Sequence, residues 1–74
     1  MDKTLIKFIK NIQKAIEEGR CVETNNEHRI PIIHVKLSDN KIRFELKPYD
    51  DNDSIIETFY IEEKDKILDY VIIL

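Results

Sequence analysis

Cys21, His28 and His34 have the strongest intrinsic chemistry in this chain of 74 residues. A thiolate with two imidazoles suits a transition metal, and a thiol beside an imidazole suits nucleophilic catalysis. Their spacing matches no established zinc pattern. A hairpin over residues 20–32 would put Cys21, Glu23, His28 and His34 on one face, which is the one metal-like constellation available. The stronger reading pairs His34 with Glu45 and His28 with Glu23 across strands. Nothing in the sequence sets a base beside Cys21 or supplies an oxyanion hole. Asp51, Asp53 and Glu62 imitate a calcium loop, but Ile55 and Ile56 occupy positions that need a ligand and the sharp-turn Gly. The single Gly excludes a Gly-rich phosphate loop. Paired carboxylates are plentiful, yet so small a chain has little room for a pocket that would shift their pKa values. The expectation is a protein with no catalytic residues, no metal site and no cofactor.

Charge is the other resource, and it is unevenly placed. The formal net charge is −3. Residues 1–20 carry five basic and three acidic groups, residues 21–44 four and three, and residues 45–74 three and nine. Lys3, Lys7, Lys10 and Lys14 fall on a narrow arc and form a candidate anion-contact strip. Against nucleic acid stand the negative total, the lack of Arg on that strip and the lack of stacking aromatics beside it. Asp50, Asp51 and Asp53 share one segment, and Glu62, Glu63 and Asp65 follow. These six are the candidate partner-binding residues: fixed carboxylates attract a basic cleft at long range and can imitate the phosphates it was built to hold. The competing reading is solubility and protection of strand edges.

The elements that must hold these groups are legible from periodicity. Leu5, Phe8, Ile9, Ile12, Ala15 and Ile16 recur at helical steps and predict a helix over residues 4–18, opposite the lysine arc. Asp2 or Thr4 caps its start and Gly19 its end. Residues 30–47 predict a β-hairpin turning at Asp39-Asn40. Leu37 then pairs with Ile42, Val35 with Phe44 and Ile33 with Leu46, all on one face, with Pro31 at an edge or bulge. Residues 20–29 could add a short strand, turning at Asn25-Asn26. A polar loop spans residues 47–54 and a third strand residues 55–62. Residues 67–74 read as a fourth strand because β-branched residues dominate, with a terminal helix from about Glu63 to Ile72 as the alternative. The sum is one α+β domain, in which an N-terminal helix packs on an antiparallel β-meander of three to five strands.

One helix covers one sheet face. The other face should therefore leave Ile30, Ile32, Ile56, Tyr60, Val71 and Ile73 uncovered, and such a patch marks a contact surface. A symmetric homodimer is the simplest way to bury it. One Cys cannot form an internal disulfide, no apolar run approaches the ~20 residues that span a bilayer, and the first residues do not read as a signal peptide; a cytoplasmic setting fits. No motif matches a known family residue by residue. In size, acidity and helix-then-meander order the chain is similar to small phage-encoded inhibitors of bacterial defence systems, anti-CRISPR proteins among them. That resemblance implies a non-enzymatic module that covers a basic or nucleic-acid-binding site on a host protein. The alternative is a homodimeric structural or regulatory protein whose helix lysines contact nucleic acid.

Overall fold

The computed structural model describes residues 2–50 and 52–74. Helix α1 runs Lys3–Glu17 and buries Leu5, Ile9, Ile12 and Ala15, with Phe8 and Ile16 half-buried at its margins. Its first orphan N–H groups are satisfied by the Asp2 carboxylate, which accepts from Thr4 at 2.8 Å and Leu5 at 3.4 Å. Its end is closed by Gly19, which adopts a left-handed φ of 76°. There the Gly19 N–H donates to the Ile16 carbonyl and the Arg20 N–H to the Ala15 carbonyl, the double bond pattern of a glycine-terminated helix.

Strands β1 (Val22–Thr24), β2 (Ile32–Ser38), β3 (Lys41–Leu46) and β4 (Ile55–Tyr60) follow. A 3-10 turn over Ile61–Glu63 leads to helix α2 (Lys64–Tyr70) and strand β5 (Val71–Ile73). The strands form two antiparallel ladders, β2-β3-β4 and β1-β5, joined by a single bridge between Glu23 and Pro31. The α+β architecture read from the sequence stands. The core is one cluster in which the α1 stripe meets Val35, Ile42, Phe44 and Leu46, with Ile67 of α2 fully buried beside them. The rings of Phe44, Phe59 and Tyr70 lie 4.8–5.9 Å apart and tie α2 to the sheet.

The β2-β3 hairpin turns at Asp39, which takes a positive φ of 53°. Leu37 pairs with Ile42 and Val35 with Phe44 in the expected register. The expected pairing of Ile33 with Leu46 is corrected: the register shifts between Ile32 and His34, and Ile32 stands opposite Leu46. Pro31 has no N–H for the ladder, but its carbonyl accepts from the Lys47 N–H at 2.9 Å, so an extra residue must be absorbed just after it. Ile33 is that residue. Ile32 is therefore 3% exposed on the core side, while Ile33 is 42% exposed.

The short strand expected within residues 20–29 is present as β1. It turns back on residues 27–31 only in part, through the Glu23–Pro31 bridge and the Thr24 N–H, which donates to the Ile30 carbonyl at 2.9 Å, and its other edge pairs with β5. In place of a tight turn at Asn25-Asn26 there is a loop pinned by Asn26, whose Oδ1 accepts from the Thr24 hydroxyl and the His28 and Arg29 N–H groups. One further expectation changes. Residues 67–74 are not one strand. The helical alternative is the one realised, over Lys64–Tyr70, and only Val71–Ile73, where β-branched residues are consecutive, is extended. The third strand ends at Tyr60 rather than residue 62.

Together these changes correct the expected uncovered patch. Ile32 is in the core, and Ile30, Val71 and Ile73 are partly buried and packed against it. Ile56 and Tyr60 are 53% and 52% exposed, as expected.

Candidate functional site

The outward direction of each β4 backbone group follows from one hydrogen bond and the ladder register. The Ile61 N–H donates to the Asn40 carbonyl at 2.9 Å, continuing the register in which Lys41 faces Tyr60 and Ile42 faces Phe59. Hydrogen-bonded and non-hydrogen-bonded pairs alternate along an antiparallel ladder. Ile55, Glu57 and Phe59 therefore direct their N–H and C=O groups at β3. Those of Ile56, Thr58 and Tyr60 point away from the sheet. Among the described residues no hydrogen bond reaches these outward backbone groups.

The opposite edge is guarded in part. At the β2 edge the Gln13 amide of α1 donates to the Val35 carbonyl at 3.2 Å, and the Glu23–Pro31 bridge holds the strand's start against β1. That edge also carries a proline and a bulge, both of which discourage pairing. Strand β4 has no proline, no lysine and no register shift.

The sequence-predicted acidic residues lie at the two ends of β4. Asp50 and Asp53 are exposed in the segment before it, and Asp51 lies outside the described residues. Glu62 and Asp65 are exposed and Glu63 half-exposed just after it. A strand of this length separates the two groups by roughly 20 Å. At the far end Lys64 is engaged by the Asp2 carboxylate at 2.7 Å. That contact holds the Asp2 carboxyl below its usual range and raises the Lys64 ammonium. The Asp65 charge adds to the rise at Lys64.

Lys3, Lys7, Lys10 and Lys14 are all exposed on α1. A second cationic group, missed in the sequence, stands on the outer face of the sheet. Lys36 is directly across from Arg43, and Lys41 lies over the Tyr60 ring at 5.6 Å. The strict alternation of Lys41 and Arg43 with the buried Ile42 and Phe44 is the signal that could have revealed it. Its contribution changes the character of that face: His34, Lys36, Lys41, Arg43, Glu45 and Thr58 surround Ile56 and Tyr60, so the outer face is polar with two apolar islands.

The chemical candidates are not assembled. Cys21 and His28 are exposed in separate segments, and His34 lies across from Glu45 on the sheet. Among the described residues no group of three or more His, Cys, Asp or Glu is arranged to hold a metal. Glu23, expected across from His28, is instead buried, accepting from the Tyr49 hydroxyl at 3.2 Å with Arg29 3.9 Å away. That hydrogen bond raises the Tyr49 pKa. An open groove of about 390 Å³ lies between α1 and β2, lined by Gln13, Ile16, Glu17, His34 and Val35. Its glutamine is already committed to the β2 edge.

Neither a family model, nor a curated protein, nor a solved structure matches this chain. Among the described residues no helix is long and apolar enough to cross a membrane.

Proposed function

We propose that this protein is a non-enzymatic binding module that covers a basic surface on another protein. The observation that carries this reading is the placement of carboxylates at both ends of an exposed strand. Asp50 and Asp53 stand at one end, and Glu62, Glu63 and Asp65 at the other. Negative potential at those two ends accelerates encounter with a positive surface and disfavours anionic competitors. A cleft that normally holds nucleic acid has that opposite potential. The resemblance to phage-encoded inhibitors gives the reading its biological form, an inhibitor that occupies such a cleft in the cytoplasm. With most of the apolar patch sheltered inside the chain, the module needs no homodimer to be stable.

The second reading is contact with nucleic acid, and the cations on α1 together with Lys36, Lys41 and Arg43 favour it. Charge reversal separates the two. Immobilised wild-type protein, Asp50→Lys/Asp53→Lys, Glu62→Lys/Glu63→Lys/Asp65→Lys and Lys7→Glu/Lys10→Glu/Lys14→Glu variants are exposed to lysate of the native host. The binding-module reading expects both acidic-site variants to lose a captured basic protein and the lysine variant to keep it. Retention by the acidic-site variants removes the carboxylates from the mechanism. Salt-sensitive binding of labelled RNA or DNA that the lysine variant loses establishes the second reading instead.

A further inference from the structure

We propose that the open edge of β4 accepts an extended segment of the partner protein as an added strand, and that this segment is cationic at both its ends. The proposal rests on the binding-module reading and names the manner of contact and the chemistry of what is bound. A strand edge whose N–H and C=O groups meet no partner is a template for pairing. Here the template is defined residue by residue: Ile56, Thr58 and Tyr60 offer the groups, and the same three side chains stand on the outer face of the sheet. An incoming strand gains main-chain hydrogen bonds from those residues, while its own alternate side chains lie beside Ile56, Thr58 and Tyr60. The contrast between the two edges is what singles out β4. Proline, a bulge, a glutamine cap and β1 all guard β2, whereas β4 has none of these devices.

Charge selects the occupant. Both ends of β4 carry carboxylates, so a segment with lysine or arginine at each end is complementary in either chain direction. A second copy of this chain is not complementary. Antiparallel pairing centred on Thr58 sets Ile56 beside Tyr60 of the other copy, but it brings Asp53 towards Glu63 and Ser54 towards Glu62. Sliding to centre on Glu57 places that carboxylate opposite its own image. Like charges directly opposite are destabilising.

The test uses two capped synthetic peptides that share an alternating threonine–valine centre. One carries lysines at both ends and the other glutamates. Amide hydrogen exchange of the full protein is read residue by residue. The lysine-ended peptide should slow exchange at Ile56, Thr58 and Tyr60 and leave Glu57 and Phe59 unchanged. The glutamate-ended peptide should bind more weakly. Thr58→Pro should abolish peptide binding while the protein keeps its thermal transition, because the N–H it removes takes no part in the β3 ladder. If that variant loses its transition, Asp50→Lys/Glu62→Lys supplies the test, since it should weaken the lysine-ended peptide and strengthen its twin. Protection without the alternating pattern, equal binding of the two peptides, or protection that rises with protein concentration alone would overturn the proposal; the last assigns the edge to a second copy. Peptide failure alongside loss of capture by the acidic-site variants sinks the added strand and leaves the binding-module reading standing. Peptide protection alongside retained capture does the reverse.

Discussion

Ile32 and Ile33 are adjacent and chemically identical, so the bulge after Pro31 makes their truncations a clean comparison. Ile32 is 3% exposed and faces Leu46, whereas Ile33 is 42% exposed. Ile→Ala removes the equivalent of about three methylene groups, each worth ~0.8 kcal/mol when buried. For Ile32 the transfer loss is therefore about 2.4 kcal/mol, and the unfilled cavity raises it towards ~3–4 kcal/mol. Ile33 loses only part of that transfer term and leaves no enclosed cavity, so Ile33→Ala should cost about 1 kcal/mol. A chain of this length has a total stability on the order of 4–11 kcal/mol. Ile32→Ala should thus remove a large share of it and lower Tm by ~12 °C or more, with Ile33→Ala shifting Tm by about 4–8 °C. Urea unfolding followed by circular dichroism measures both variants. Equal losses, or a larger loss for Ile33→Ala, would show that the hairpin keeps an unbroken register and that the bulge is absent.

Other predictions are more local. Burial among Phe44 and Phe59 pushes the Tyr70 hydroxyl pKa up to about 12, with Glu57 adding to the shift. A raised folded-state pKa contributes stability that is complete below pH ~10 and is lost as pH rises through the folded value. Tyr70→Phe should therefore flatten part of the wild-type fall in Tm between pH 10 and 12. The Asp2–Lys64 pair acts at both extremes: the lowered Asp2 pKa gives stability that is lost as pH falls below the ordinary carboxylate range, and the raised Lys64 pKa gives stability that is lost at strongly alkaline pH. Asp2→Asn should keep much of the helix cap and remove the acid limb of this dependence in pH-scanned thermal melts. Gly19→Ala meets no atom within 4 Å but must hold a φ of 76°, so it should cost about 1 kcal/mol in urea unfolding without disturbing the core.

Local rules made α1 and the hairpin legible. The α1 stripe, the Asp2 cap, the Gly19 stop and the Asp39 turn each depend on a few neighbouring residues, and each is present. What the sequence concealed depends on distant partners. Val71–Ile73 is extended because β1 lies beside it, a pairing about 50 residues apart that no local pattern announces. The helical stretch Lys64–Tyr70 was legible only as the alternative reading of the tail, because Val71, Ile72, Ile73 and Leu74 lend the whole tail a strand-like composition. Ile32 and Ile33 could not be told apart because both are isoleucine and the bulge reverses their faces. The same limit governs the site. The two acidic groups were visible in the sequence on either side of the third strand, but that this strand is an edge emerges only from the topology, in which β4 pairs with β3 alone.

Residue-resolved amide exchange of the protein by itself, at low concentration, tests the open edge most directly. The account predicts alternation along β4, with fast exchange at Ile56, Thr58 and Tyr60 and slow exchange at Glu57 and Phe59. Uniform protection through Ile55–Tyr60 that persists on dilution would contradict it, because those outward groups would then already have partners within the chain.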